Sequence, residues 1–439
     1  MNRRIFLSNG MKIGAGMGLL SAVPMDVLAM YRKNVSPGSK IGVALIGCNG
    51  MGWVNLTSML KIPDTTCVAL CDIDDSVLKQ RLEELDKLNI KPTTFKDYRK
   101  LLEMKEVDVV IIATPDHWHC LMMVEACAAG KAVYVEKPAA NSIVEANIMV
   151  AAAQRYGSIV QVNQWQRSQQ HFKDAIAFVQ SGKLGTISQT KTWMFSSHGL
   201  LAPKPDAPVP AGVDYKMWLG PAKERTYNRN RFHYTFRWYW DYAGGLMTDW
   251  GVHLVDMVLL GMQTQAPKSI ASIGGHFAYP TDDRETPDTQ TAQFSFDTFQ
   301  MSWDHSMGNQ NGFFNQGHGI SFGGSNGTLI LNRGGWEVRP EKEKDKPKMD
   351  AVSWQNVKDN GVDLHTANFI NAVKAKNASL LNCPIEAGAA VAKVCQMGNV
   401  ALRSKEMLHW NNASQKFDSK TANEFLAAEY HNGWKLPKV

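Results

Sequence analysis

The sequence lacks the features that mark several classes of protein. The apolar run from Met11 to Leu20 is too short to cross a bilayer, so we expect no membrane span. A net charge of +6 spread over 439 residues includes no dense basic tract, so we expect no nucleic-acid partner. Seven cysteines, mostly in apolar segments, predict buried thiols rather than a disulfide framework. With 44% hydrophobic residues, the chain is typical of a globular protein with two domains.

The first thirty residues have the pattern of an export signal. Arg3 and Arg4 precede Ile5-Phe6-Leu7, and a small apolar run follows. This resembles a twin-arginine signal, although Asn2 and Ser8 depart from the fuller pattern, and the alternative is a plain basic tail. We therefore expect a periplasmic protein, or a cytoplasmic one if the signal does not function. That route carries folded proteins, so a cofactor bound in the cytoplasm would leave with the chain.

From Lys40 the chain alternates short apolar runs with longer helical stretches, which predicts parallel βαβ units. The predicted strands are 41–47, 66–71, 107–114, 132–136 and 159–162, and the predicted helices are 52–62, 75–88, 121–130 and 142–156. Residues 40–162 are thus expected to form an α/β doubly wound sheet of the Rossmann type. Residues 163–439 are expected to form an α+β domain for substrate and oligomerisation, with a large, mostly antiparallel open sheet.

A glycine-rich turn follows the first predicted strand. Gly47-Cys48-Asn49-Gly50-Met51-Gly52 leads into a predicted helix, where free N–H groups can hold a pyrophosphate. Asp72 follows Gly52 by twenty positions, at the end of the second strand, where an acid can bind both ribose hydroxyls. An acid there repels a 2′-phosphate, which favours NAD over NADP. Asp74 is the alternative residue for this contact.

Two further segments end predicted parallel strands, where doubly wound sheets bind their ligands. One runs from Ala113 to His119 and the other is Glu136-Lys137-Pro138. Lys137 could hydrogen-bond a substrate hydroxyl and help its deprotonation, while the proline fixes the turn. The alternative is a solvated surface lysine.

The segment from Gly244 to Asp256 contains a third group of polar residues. If the segment is helical, Asp249, His253 and Asp256 share one face. A histidine can accept the proton that a hydroxyl releases as it becomes a carbonyl. The alternative is a polar helix face with a satisfied histidine.

Together these motifs resemble the Gfo/Idh/MocA oxidoreductase family. The resemblance is carried by GxxGxG at 47–52, ATPxxxH at 113–119, EKP at 136–138 and GGxxxDxGxHxxD at 244–256. It implies an NAD(P)-dependent enzyme that acts on a secondary hydroxyl of a sugar or glycoside, with C3 oxidation to a 3-keto sugar as one form of the reaction. It also implies a homodimer or homotetramer formed through the C-terminal sheets.

The resemblance also assigns roles to individual residues. His253 would be the general acid/base, Lys137 would polarise the reacting oxygen, and Asp249 would position the substrate. The implied cofactor contacts are Gly47, Asn49, Gly50, Met51, Gly52, Asp72, Thr114, Pro115, His119, Glu136 and Lys137. The implied substrate contacts are Trp165, Arg237, Trp240, Asp249 and His253. The aromatic segment 231–242 suits sugar rings, or else supplies core aromatics in a strand.

Export of the folded protein with its cofactor bound resembles that of the glucose-fructose oxidoreductases of that family, and it predicts tightly bound NAD. Two other functions share the same motifs: a redox-neutral, NAD-using glycosidase or epimerase, and a catalytically silent NAD-binding protein. His117, His119, Asp249 and His253 are also metal-ligand types, but we expect no metal because hydride transfer needs none.

Overall fold

The computed structural model describes residues 40–439 and contains two large sheets with helices packed against them. The segment predicted as an export signal lies outside the described residues. Within them, no helix is both long enough and apolar enough to cross a membrane. All seven cysteines are buried and unpaired, which confirms the prediction of apolar thiols.

The first sheet has six strands, all parallel, in the order β3-β2-β1-β4-β5-β6. The strands are β1 (Ile41–Ile46), β2 (Thr65–Cys71), β3 (Thr93–Phe95), β4 (Val109–Ile112), β5 (Ala132–Val135) and β6 (Val160–Val162). The central strands β1, β4 and β5 are buried at every position, which explains their unbroken apolar sequences. The strand order reverses between β1 and β4, and a crevice opens there.

Five helices connect these strands. They are α1 (Gly50–Met59), α2 (Asp75–Asp86), α3 (Tyr98–Leu102), α4 (His119–Ala128) and α5 (Ile143–Tyr156). Side chains of Asn49, Asp74 and Ser142 cap α1, α2 and α5 by accepting backbone N–H groups of the first turn. β3 and α3 were not predicted from the sequence, because elements of three and five residues are too short to show a period.

The second sheet has ten strands in the order β16-β13-β12-β11-β7-β10-β9-β8-β17-β18. They are β7 (Ile187–Phe195), β8 (Ser269–Gly275), β9 (Thr289–Ser295), β10 (Gln300–Ser306), β11 (His318–Gly324), β12 (Gly327–Asn332), β13 (Gly335–Pro340), β16 (Val352–Asn356), β17 (Leu408–Asn411) and β18 (Lys416–Phe417). A small hairpin joins β14 (Lys342–Glu343) to β15 (Lys346–Pro347). Only β7 and β10 pair in parallel within this described sheet, which confirms the predicted mostly antiparallel architecture.

Seven helices belong to the second half of the chain. They are α6 (Gln170–Gln180), α7 (Tyr215–Leu219), α8 (Gly245–Asp249), α9 (Gly251–Gly261), α10 (Gly361–Ala375), α11 (Ile385–Ser404) and α12 (Lys420–Asn423). Short 3₁₀ turns occur at Asp116–Trp118, Trp165–Ser168, His233–Trp238, Phe313–Asn315 and Ala378–Leu380.

Helix α10 returns to the first sheet. Phe369 packs against Tyr134 of β5, with ring centres 5.4 Å apart, and shares a buried cluster with Leu45 of β1. Asp363 accepts a 2.6 Å hydrogen bond from Ser58 and pairs with Lys61 at 2.8 Å. The core of the first domain therefore includes residues from beyond the predicted boundary at 162.

Candidate active site

A cavity of about 660 Å³ opens at the carboxyl ends of the parallel strands. Its first wall is the glycine-rich turn after β1, together with the ends of β2, β4 and β5. Its second wall comes from α7, from the 3₁₀ turn at His233–Trp238 and from the end of α8. The cavity therefore lies between the two halves of the chain.

The glycine-rich turn is shaped to leave room in the cavity. Gly47, with φ +84°, runs so close to β4 that a Cβ atom would lie 2.6 Å from the carbonyl oxygen of Ala113. Gly50, with φ +48°, has no atom within 4 Å of the corresponding point. The N-terminus of α1 therefore faces open space, as a pyrophosphate site requires. Asn49 and Met51 also line the cavity, whereas Gly52 is absent from the lining.

Asp72 lies at the end of β2 and lines the cavity. Its carboxylate accepts the N–H groups of Cys48, at 2.7 Å, and of Asp74, at 3.1 Å. Burial raises the pKa of Asp72, and these two hydrogen bonds oppose the rise. The carboxylate thus ties the glycine-rich turn to β2 while it faces the cavity.

Asp74 has other partners. One carboxylate oxygen caps α2 through Ser76, and the other lies 3.2 Å from Nε2 of His233. Asp74 is absent from the lining of the main cavity. Of the two candidate acids, Asp72 is therefore the one that lines the cavity.

Some residues of the two segments at the ends of β4 and β5 line the cavity, and others lie behind its wall. Thr114, Pro115, Glu136 and Lys137 line the cavity. His119, which we predicted as a cofactor contact, lies behind this wall. Its ring nitrogens are 2.9 Å from the carbonyl oxygen of Thr114 and 2.7 Å from that of Pro138. Because it bridges the two segments, His119 is placed to hold them together.

Glu136 is fixed by a network of amides. Its Oε1 accepts hydrogen bonds from Asn55 of α1 at 2.7 Å and from Asn163 at 2.6 Å. Its Oε2 accepts the N–H of Lys137 at 3.1 Å. The carboxylate therefore links α1, β5 and β6 directly beneath Lys137.

Lys137 and Asp249 form an ion pair at the centre of the cavity. The ammonium donates to Oδ1 of Asp249 at 2.6 Å and to its backbone carbonyl at 3.0 Å. The guanidinium of Arg237 lies 3.5 Å from the same carboxylate. Although burial acts to raise the pKa of Asp249, the Lys137 and Arg237 cations hold it well below its usual range. Asp249 is therefore ionised throughout the ordinary pH range.

The predicted continuous helix through Asp249, His253 and Asp256 is interrupted. Helix α8 ends at Asp249 and α9 begins at Gly251, so the three side chains do not share one environment. Asp256 is fully buried and binds the guanidinium of Arg167, with oxygen–nitrogen distances of 2.6 to 2.9 Å. It supports the fold rather than the cavity.

His253 is buried beside the cavity rather than in its lining. Its ring lies 6.3 Å from that of Trp165 and 6.2 Å from that of Trp250. Within residues 40–439, its buried Nδ1 has no hydrogen-bond partner. Burial, aided by the Arg333 and Lys137 cations, lowers the pKa of His253 well below its usual range. The imidazole is therefore neutral at pH 7 and able to accept a proton.

The predicted substrate contacts separate into two groups. Arg237 lines the cavity, and Trp165 lies next to His253. Trp240 does not reach the cavity, because its indole N–H donates to the carbonyl oxygen of Glu285 at 3.0 Å and Arg403 lies 5.0 Å from its ring centre. The aromatic segment forms a 3₁₀ turn and not a strand, but Phe232, Trp238, Tyr239 and Tyr242 are buried in the core, as the alternative predicted.

Asp116 and His233 are among the cavity residues that were not singled out from the sequence. Asp116 is buried between the sheet ends, and burial raises its pKa to about 8, although the Lys137 and Arg237 cations oppose the rise. Its place directly after Thr114-Pro115 could have indicated it. His233 lines the ribose end, but no local pattern marks it.

The metal-ligand types identified in the sequence have other contacts. Nε2 of His117 lies 3.1 Å from the carbonyl oxygen of Trp218, on the far side of the segment from His119. In the part of the chain that the structure describes, no three His, Cys, Asp or Glu side chains are grouped as metal ligands.

Three family models match the chain over overlapping ranges. Residues 41–164 match the model described as "Oxidoreductase family, NAD-binding Rossmann fold". Residues 160–275 match "Oxidoreductase family, C-terminal alpha/beta domain", and residues 223–330 match "GFO/IDH/MocA C-terminal domain".

Two curated relatives are similar over part of the chain. An uncharacterized oxidoreductase of Bacillus subtilis, YrbE, is 31% identical over 147 residues, which cover 34% of this chain and 42% of the relative. An alpha-N-acetylgalactosaminidase of Tannerella forsythia is 30% identical over 201 residues, covering 42% and 43% of the two chains. The similarity thus spans less than half the length of either relative.

The solved structure of a levoglucosan dehydrogenase, in complex with NADH and levoglucosan, has the same fold. It superposes with a TM-score of 0.62 at 14% identity and covers 84% of this chain and 99% of its own.

Proposed function

Because the chain belongs, over residues 41–330, to the Gfo/Idh/MocA oxidoreductase family, we propose that it oxidises or reduces a secondary hydroxyl of a sugar or glycoside with NAD. One observation carries the proposal: the Lys137–Asp249 ion pair opens into the same cavity as the glycine-rich turn and Asp72. A dinucleotide site and a polar reaction centre therefore adjoin.

Lys137 and Asp249 in the cavity, and His253 beside it, have complementary proton chemistry. The Lys137 ammonium, held by Asp249 at 2.6 Å, can donate a hydrogen bond to the reacting oxygen and stabilise the negative charge that develops on it. Neutral His253 can accept the hydroxyl proton. Asp249 stays ionised and keeps the Lys137 ammonium in place. NAD, when bound, supplies the acceptor for the hydride that leaves the carbon.

The residues present fit that cofactor. Gly50 leaves the N-terminus of α1 open toward the cavity, and Asp72 faces the position of a ribose. In this proposal Gly47, Asn49, Met51, Thr114, Pro115 and Glu136 also contact the dinucleotide, since they line the same cavity. His119 then acts on the cofactor through the two segments that it bridges.

A redox-neutral glycosidase or epimerase is the second candidate. The similarity to an alpha-N-acetylgalactosaminidase favours it, and the same lysine, aspartate and histidine would serve it. A catalytically silent NAD-binding protein is less well supported, because it would have no need of the Lys137–Asp249 pair beside a neutral His253.

Localisation and assembly belong to the same proposal. The twin-arginine pattern at Arg3 and Arg4 supports export of the folded protein to the periplasm. Outside the cytoplasm there is no free nicotinamide pool, so we propose that NAD is tightly bound and recycled in the site. Pairing through the ten-stranded sheet would give a homodimer or homotetramer, and gel filtration coupled to light scattering measures this.

The test is to purify the protein without added cofactor and identify the nucleotide that co-purifies. The absorbance of reduced nicotinamide is then followed while glycosides are added, and the products are analysed. A keto sugar supports the dehydrogenase, and a released aglycone with unchanged NAD supports the second candidate. Failure to bind NAD would refute both.

A further inference from the structure

A cluster of aromatic and basic residues lies next to His253, outside the lining of the dinucleotide cavity. Arg333 comes from the turn between β12 and β13, His318 begins β11, and Trp250 joins α8 to α9. Trp165 comes from the 3₁₀ turn that follows β6. All four side chains are only partly buried, so the cluster borders open space.

The guanidinium of Arg333 lies against two indole rings. Its central carbon is 4.7 Å from the ring centre of Trp165 and 4.4 Å from that of Trp250. Its hydrogen bonds to protein are two long ones, of 3.4 Å each, from Nε and Nη2 to the side-chain oxygen of Gln166. Within residues 40–439, no carboxylate lies within ion-pairing distance of Arg333.

The histidines beside Arg333 are uncharged and have free ring nitrogens. The ring of His318 lies 5.0 Å from that of Trp250, and burial together with the Arg333 charge lowers its pKa to about 4. Among the described residues, neither Nε2 of His318 nor Nδ1 of His253 has a hydrogen-bond partner. Because both rings are neutral, neither one competes with Arg333 for an anion or supplies it with a counter-ion.

The charges around the reaction centre are unbalanced. Asp249 is the carboxylate that acts on Arg333, but it already binds Lys137 at 2.6 Å and lies 3.5 Å from Arg237. Burial raises the pKa of the nearby Asp116 to about 8, which favours its neutral form. Three cations therefore share the Asp249 carboxylate, and the further carboxylate near Lys137, that of Glu136, is held by the amides of Asn55 and Asn163. A half-buried cation without a counter-ion is unfavourable, and an anionic ligand would relieve the imbalance.

We propose that the substrate carries a carboxylate, as uronic acids do, and that Arg333 binds this group while the reacting hydroxyl lies at Lys137. This inference rests on the proposed oxidation of a sugar. The indole rings cover the guanidinium and leave its N–H edge free, and a planar carboxylate matches that edge with two parallel hydrogen bonds. The neutral rings of His253 and His318 lie next to Trp250, whose own ring contacts the guanidinium.

The test compares acidic and neutral sugars of the same ring. The NAD-loaded protein is titrated with methyl β-D-glucuronide and methyl β-D-glucoside, and with the corresponding galacturonide and galactoside. Binding is read from tryptophan fluorescence, because Trp165 and Trp250 contact Arg333. We expect the acids to bind about 10- to 100-fold more tightly, the range for a hydrogen-bonded charge pair. Glucose 6-phosphate tests the phosphate as an alternative anion.

Substitution assigns the effect to Arg333. Arg333→Met, which keeps the apolar stem, should abolish the preference for the acid, and Arg333→Lys should keep only part of it. The matched control is Arg339→Met, which removes an exposed arginine of the same hairpin that pairs with Glu337. Thermal unfolding checks that each variant is folded.

The outcomes separate this inference from the proposed function. Equal binding of acid and neutral sugar by the unaltered protein, tighter binding of the phosphate ester than of the acids, or no response to any acid overturns the carboxylate site. An unchanged preference in a folded Arg333→Met variant does so too. Oxidation of neutral glycosides alone would keep the proposed function and reject the carboxylate. Binding of acids through Arg333 without turnover would keep the carboxylate site and reject the proposed function.

Discussion

Replacing Asp249 with Asn tests the ion pair at the centre of the cavity. The change keeps the shape of the side chain and removes the charge that Lys137 contacts at 2.6 Å and Arg237 at 3.5 Å. Breaking a buried pair by removing one partner costs about 3–5 kcal/mol. The side chains of Lys137 and Asp249 remain 14% and 17% exposed to the cavity, so we expect the lower end, about 3 kcal/mol.

This free energy gives a measurable change in Tm. An unfolding entropy of about 2.1 cal/mol/K per residue, over the roughly 400 residues described, means that 3 kcal/mol lowers Tm by about 3–4 °C. The effect depends on pH. The pKa of Asp249 is lowered by folding, so its stabilisation is complete above the unfolded pKa and is lost as pH falls through the folded one. The difference between the two proteins should therefore shrink in acid.

Asp249→Asn should have a larger effect on kcat than on Tm. In Asp249→Asn the Lys137 ammonium keeps the backbone carbonyl oxygen at 3.0 Å and a neutral amide oxygen as acceptors, but it loses the negative charge that holds it toward the substrate. We expect kcat to drop by about 100- to 1000-fold, the size of effect seen when one preorganised charge contact is lost. NAD binding should not change, because Asp72 and the glycine-rich turn are untouched.

Asp256→Asn is the matched control. It breaks the buried pair with Arg167, whose oxygen–nitrogen distance is 2.6 Å, away from the cavity. It should lower Tm by at least as much and leave the kcat of the folded protein nearly unaltered. The reasoning is refuted if Asp249→Asn changes kcat by less than about threefold, or if Asp256→Asn reduces kcat as strongly.

Three further predictions concern single residues. His253→Ala should cut turnover by about 100- to 10,000-fold, because the proton acceptor is lost. A fluorescence titration should show unchanged NAD affinity. Normal turnover would reject His253 as the general acid/base. Asp72→Ala should weaken the binding of NAD and reduce the preference for NAD over NADP in kinetic assays. If only Asp74→Ala has this effect, Asp74 is the residue that contacts the ribose. The raised pKa of Asp116 makes its ionisation unfavourable in the fold, so the native protein should lose stability as pH rises toward 8. Asp116→Asn cannot ionise, so its free energy of unfolding, measured with denaturant, should increase relative to that of the native protein over the same pH range. A difference that does not change with pH would contradict this.

The fold could be predicted largely from apolar periodicity and glycine spacing. The unbroken apolar run of β1 and the glycine-rich turn are local patterns, so the Rossmann sheet and the positions of Gly47, Asp72 and Lys137 followed from them. Elements as short as β3 leave no such pattern.

The contacts of the site were less predictable, because they join distant parts of the chain. Trp240 turns away because Glu285, 45 residues later, binds its indole. Asp256 faces away from the cavity because Arg167, 89 residues earlier, binds it. Arg333 reaches the site only through the register of the β12–β13 hairpin, which the sequence alone does not specify.

The return of α10 to the first sheet has a consequence for how the protein matures. Phe369 and Ile370 fill the core beside Leu45 and Tyr134, so a nascent chain that has emerged only to residue 162 cannot complete its nucleotide domain. Trp434, whose ring centre is 5.0 Å from that of Trp118, extends this dependence almost to the last residue. Binding of the cofactor would then wait until residue 434 has left the ribosome, because a shorter nascent chain lacks the contact that Trp118 of the cavity makes with Trp434.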